Sequence, residues 1–135
     1  MPIYKSSVSI EAPVEVVFAY VSDVRHLASY VEGMVEAEPL GAERVRVTAE
    51  VDGQRRVGEA WFRVKPGRRR PRIEWGSAGP HDYHGWLEVD REGEVASVTV
   101  ELHTGRVSDD RIDEALDRTL FALRDRVEGP AGDRP

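Results

Sequence analysis

A chain of 135 residues with a formal net charge of −6 has room for one domain with a real core, because a chain of this size buries roughly two-thirds of the surface it exposes when unfolded. The acidic balance excludes broad affinity for phosphate backbones, so nucleic acid is not an expected partner. There is no cysteine, which excludes disulfides and thiolate chemistry, and no apolar stretch approaches the ~20 residues of a membrane span, so the expectation is a soluble, cytoplasmic protein.

Val8 and Ile10 alternate with Ser7 and Ser9, the period-two mark of a half-buried strand that ends at Glu11. Pro13 suits a helix entry, and Val14, Val17, Phe18 and Val21 fall at i, i+3, i+4 and i+7, which predicts a short helix with one apolar stripe. Ser22-Asp23 breaks that helix and can cap a second short one, in which Val24, Leu27, Ala28 and Val31 repeat the spacing before Gly33. From residue 35 to 104 the pattern is one of strands, broken at Pro39 to Gly41, Asp52-Gly53, Pro66-Gly67, Gly76 to Pro80 and Glu92-Gly93. These breaks delimit six further strands, seven in all, and connections so short favour antiparallel neighbours. The run Arg68-Arg69-Arg70-Pro71-Arg72 comes after turn chemistry at Pro66-Gly67 and reads as a solvated hairpin turn rather than an anion site. Ser108-Asp109-Asp110 then opens a helix whose Ile112, Leu116, Leu120, Leu123 and Val127 share one face until Gly129-Pro130, a rod on the order of 30 Å long. The expected organisation is one α+β domain over residues 1–128 and a flexible tail over 129–135.

This element order resembles the START-like (SRPBCC) superfamily. The residues that carry the likeness are Ile10-Glu11-Ala12-Pro13-Val14-Glu15-Val16-Val17-Phe18 followed by Val21-Ser22-Asp23-Val24. The hairpin from Val64-Lys65-Pro66-Gly67-Arg68 through Ile73-Glu74-Trp75 is similar to that of the bacterial polyketide cyclase/dehydrase-like members. The resemblance implies the helix-grip fold shared with the major birch pollen allergen: a curved seven-stranded antiparallel sheet wrapped around the long C-terminal helix, two short helices after the first strand, and an apolar cavity between sheet and helix. Where many members have a proline and a tryptophan near the end of the second helix, this chain reads Ala28-Ser29-Tyr30.

Strand parity sorts the lining of that cavity, since successive side chains point to opposite faces. Predicted inward positions are Val45, Val47, Ala49 and Val51; Gly58, Ala60, Phe62 and Val64; Ile73 and Trp75; Tyr83, Gly85, Leu87 and Val89; and Ala96, Val98, Val100 and Leu102. The candidate ligand-binding residues are therefore Tyr30, Phe62, Ile73, Trp75, Tyr83, Leu87, Val98 and Val100, with Leu116 and Leu120 from the helix. Polar groups in reach are few: Tyr83, the indole N–H of Trp75, His81, and Tyr30 at the helical mouth. Acid–base chemistry needs titratable groups beside the substrate, so binding of a small hydrophobic or amphipathic molecule such as a polyketide, lipid or aromatic metabolite is favoured over turnover. The alternative that the resemblance implies is a polyketide cyclase or dehydratase using His81 and Tyr83 for proton transfer. No cofactor is expected, as no GxGxxG, P-loop or GxSxG motif occurs. No metal is expected either, because His81 and His84, three apart on a strand, point to opposite faces. Parity leaves Trp61 and Trp86 on the outer face, where they are expected to form an exposed apolar patch serving a homodimer or another protein partner.

Overall fold

The computed structural model describes residues 3–31, 34–51, 53–66, 69–77, 83–104 and 110–129, with the backbone alone at 51, 77, 83, 104 and 110–113. Alternation makes Ile3–Ile10 a strand, β1, and Pro13, extended at φ −62° and ψ 151°, turns the chain into helix α1, Val14–Val21. The Ser22 hydroxyl donates to the Phe18 carbonyl at 2.7 Å, and Asp23 accepts from the Arg25 N–H at 2.9 Å, so the pair both ends α1 and caps the turn after it. That turn is tighter than the predicted second helix: a 3-10 segment, Val24–His26, runs into a single α-helical turn, α2, Leu27–Tyr30. Ser29 contributes to this, since its hydroxyl bonds back to the His26 carbonyl at 2.6 Å.

The remaining strands are β2 Met34–Gly41, β3 Arg44–Val51, β4 Gln54–Lys65, β5 Arg72–Ser77, β6 Tyr83–Glu92 and β7 Val95–Thr104, and helix α3, Asp110–Glu128, closes the chain. All seven strands form one curved antiparallel sheet in the order β1-β7-β6-β5-β4-β3-β2. Pro39, predicted to break the chain, instead lies inside β2. It is tolerated there because β2 is the sheet edge and its register shifts at Met34/Glu36 and Pro39/Gly41, so a missing N–H disrupts no ladder.

The register places whole rows of side chains on one face. Tyr4, Leu102, Gly85, Trp75 and Phe62 form one concave row, and Ser6, Val100, Leu87, Ile73 and Val64 form the next. Helix α3 lies over this face closest to β1 and leans on α2 and α1. The Ser6 hydroxyl donates to Asp117 Oδ1 at 2.5 Å and the Glu11 N–H to Glu128 Oε2 at 2.8 Å, so two polar contacts pin the helix along the β1 rim. Between them Leu120 and Leu123, 1% and 0% exposed, join Val8, Ile10, Val17, Val21, Val98 and Val100 in one contiguous core.

Candidate functional site

The off-centre seat of α3 divides the concave face in two. On β6 and β7 the concave side chains close on one another, with Leu120 of α3 and Ile73 of β5 among them: Leu87, Val98, Val100, Leu120 and Ile73 are each 3% exposed or less. On β3, β4 and β5 the cover is uneven: Val45, Phe62 and Ile73 are buried, but part of the face between and beyond them is not, and it runs out at Arg56 opposite Ala49. Val47, Ala49, Ala60, Trp75 and Leu116 are half-buried, and Gly58 and Val64 are exposed. Of the candidate ligand-binding residues, Trp75 and Leu116 are half-buried, whereas Phe62, Ile73, Leu87, Val98, Val100 and Leu120 are buried in the core.

Trp75 owes its position to a glycine. Its indole lies across Gly85 on the neighbouring strand, where an added Cβ would sit 2.8 Å from Trp75 Cζ2 and 2.8 Å from the Glu101 carbonyl oxygen. Because one of those atoms is backbone, a side chain at 85 would have to displace the ring. The glycine thus lets the indole lie close against the neighbouring strand, where Trp75 stays half-buried on the concave face.

Tyr30 is not at the mouth. It is 4% exposed, its hydroxyl donates to the Val21 carbonyl at 3.3 Å, and burial, with Tyr20 nearby, pushes its pKa up, so the group is a neutral structural donor. The surrounding helices carry their own closed set of contacts. Tyr20 stacks on His26 with centroids 4.0 Å apart, its hydroxyl shares a hydrogen bond with Ser29 Oγ at 2.7 Å, and His26 Nδ1 meets the Tyr20 carbonyl at 3.0 Å. Sequence reasoning could place Tyr30 on the helix but had no means of fixing which way a one-turn helix faces.

The concave strand positions among the described residues hold no Asp, Glu or His. His81 lies outside the described residues, and Tyr83 is described by its backbone, which pairs with Thr104 at the start of β6. His84 is on the convex face, stacked on His103 at 4.7 Å. Among the described residues no three metal-capable side chains converge, and none of the described helices is long and apolar enough to cross a membrane.

Parity holds on the convex face too, since Trp61 and Trp86 are there, but the bare apolar patch expected of them is not. The Arg72 guanidinium sits 4.5 Å from the Trp86 ring centroid and Arg63 sits 4.8 Å from that of Trp61. The Trp86 N–H donates to Glu101 at 3.0 Å, and Trp61 lies against Gly76, a position where a Cβ would meet its ring at 2.5 Å. Both indoles are half-buried beneath these cations, so the structure gives a dimer through the tryptophans no bare apolar patch. Arg72 also donates to Glu88 at 2.8 Å and to Glu74 at 3.2 Å. Burial would raise the Glu74 carboxyl, but Arg72 and Lys65 outweigh it and hold it below the ordinary carboxylate value. The His103 hydrogen bond holds Glu101 low in the same way, against its burial and with help from Trp86.

A curved antiparallel sheet gripping a C-terminal helix, with an apolar concave face and two short helices after the first strand, defines the helix-grip class. Its solved representatives bear out that assignment. A Thermus thermophilus protein superposes with a TM-score of 0.78 at 20% identity, covering 93% of this chain and 97% of that one. A START superfamily protein of Mycobacterium smegmatis gives 0.76 at 17% identity over 93% and 97%. The di-domain ARO/CYC StfQ of the steffimycin biosynthetic pathway gives 0.76 at 20% over 92% of this chain and 44% of that larger protein. The chain belongs to the polyketide cyclase / dehydrase and lipid transport family, which it matches over residues 1–128. Among curated proteins no sequence matches it.

Proposed function

We infer that the protein binds a small hydrophobic or amphipathic molecule, of the polyketide, lipid or aromatic-metabolite kind, in the apolar groove between α3 and strands β3 to β5. The observation that carries this reading is the band of Trp75, Ala60, Val47, Ala49 and Leu116, which stays partly uncovered while the neighbouring concave residues are sealed. A folded protein gains roughly 25 cal/mol for each Å² of apolar surface withdrawn from water, so an uncovered concave strip of this kind favours a greasy occupant. The aromatic plate of Trp75 supplies a flat surface on which a ring or an acyl chain can lie.

The family and the ARO/CYC neighbour supply a second reading, a cyclase or dehydratase in which His81 and Tyr83 move protons. The absence of Asp, Glu and His from the described concave strand positions favours carriage. One measurement addresses both. Protein stripped of bound lipid is heated with a panel of fatty acids, aromatic polyketides and sterols. The expected result is stabilisation by several members, and its loss in Ala60→Trp, which fills the groove. No stabilisation by any member contradicts binding. Conversion of a poly-β-keto thioester that disappears in His81→Ala and Tyr83→Phe would make the protein an enzyme.

A further inference from the structure

At the other end of the concave face the structure holds a separate cleft of about 420 Å³, walled by Val14, Phe18 and Ala19 of α1 and by Pro66 and Pro71 of the β4–β5 hairpin. Glu15, Arg69 and Arg91 complete its lining. Arg91 reaches it because it pairs with Ala96 and so continues the inward parity of Gly85, Leu87 and Val89 past the end of the apolar run. From the row of Trp75 and Gly85 to Arg91 is six residues along β6, about 20 Å at the rise of a strand, so this cleft is distinct from the groove above.

We propose that this cleft is a second binding site, for a small amphipathic carboxylate: an aromatic or short-chain acid whose apolar body rests on Val14, Phe18 and the two prolines while its carboxylate meets Arg69 and Arg91. Three observations carry it. Val14 and Phe18 lie one helical turn apart and remain only half-buried, although their other sides pack on the core. Arg69 has no ion-pair partner among the described residues, whereas its neighbour Arg70 is held by Asp90 at 3.2 Å. Arg91 already meets a carboxylate there, Glu15 at 3.4 Å, in a well-exposed pair of the kind that contributes little and is readily exchanged for another acid. Guanidinium forks match planar carboxylates, and the volume suits a small molecule rather than a peptide.

The test is a ¹H–¹⁵N NMR titration with 4-phenylbutyrate, with 4-phenylbutanol and acetate as the uncharged and body-less controls. The expected result is saturable shifts at the amides of Val14, Phe18, Ala19, Arg69 and Arg91, with each control at least about fivefold weaker. Arg69→Gln and Arg91→Gln should each weaken the acid about fivefold, and Glu15→Gln should tighten it about two- to threefold, on the order expected for one exposed charge contact. These positions are exposed, and unchanged amide spectra elsewhere will show that the variants are folded. Shifts confined to the Ala60, Trp75 and Leu116 region, equal binding of the alcohol, or indifference to Arg69→Gln overturns the proposal, the first of these while leaving the groove's function intact. Absence of shifts up to the solubility of the acid overturns it as well.

Discussion

Leu120→Ala is expected to lower the stability of the fold by about 2–5 kcal/mol, and Leu116→Ala, one turn earlier on the same helical face, by about 1 kcal/mol or less. Both leucines belong to one amphipathic stripe and the deleted atoms are the same. The difference arises from what surrounds them. Leu120 is 1% exposed within the contiguous core, on a helix that packs against β1, so truncation leaves a cavity that the pinned helix cannot collapse. Leu116 is half-buried beside the open stretch, where part of its surface already meets water and a vacancy opens onto solvent. Urea unfolding of the two variants measures the contrast, and Ile10→Val, worth about 1 kcal/mol at a sealed site, sets its scale. Equal losses at 116 and 120 would mean that α3 is sealed along its whole length.

The second large effect lies on the opposite face. Arg72→Ala is expected to cost about 2–3 kcal/mol, the range for hydrogen bonds to charged groups and below the roughly 3–5 kcal/mol of a fully buried pair, since these groups keep 14–20% of their surface. The change strands Glu88 and Glu74 without their fork and uncovers Trp86. It also carries a pH signature. A carboxyl whose folded value lies below its unfolded one contributes full stability above the unfolded value and loses it as the pH falls through the folded one. Glu74 is depressed in this sense, so the gap between native protein and Arg72→Ala should be widest at neutral pH and close as the pH drops below the ordinary carboxylate range near about 4.3. Acid titrations of unfolding free energy for the two proteins measure it. A gap independent of pH would show that Arg72 acts by packing on Trp86 alone.

Element order and strand parity were legible because each rests on a local rule. The alternation in Val95–Thr104 and Arg44–Val51 states which side chains share a face, and the register confirms it row by row. What parity cannot state is what covers a face. Val45 and Val47 are equivalent in sequence, yet Val45 is buried and Val47 half-buried, a difference set by tertiary packing over the face and not by strand parity. The same gap explains the tryptophans: their side of the sheet was readable, but the cations over them come from residues brought alongside only by cross-strand register. Arg91 carried a signal that was there to be read, a cation at the inward end of an otherwise apolar alternation. The run containing Arg69 reads from sequence as a solvated turn, yet Pro66, Arg69 and Pro71 wall a cleft with α1, a juxtaposition of segments distant in sequence.

In the proposed binding mode the ligand lies against the concave face at Trp75. The three tryptophans make this directly measurable, because Trp75 is on that face and Trp61 and Trp86 are on the other. A brominated fatty acid, which quenches tryptophan emission only at close range, should quench the native protein in a saturable manner and leave the emission of Trp75→Phe unquenched while that variant remains folded. Equal quenching in the two proteins would place the acid on the convex face and contradict the groove.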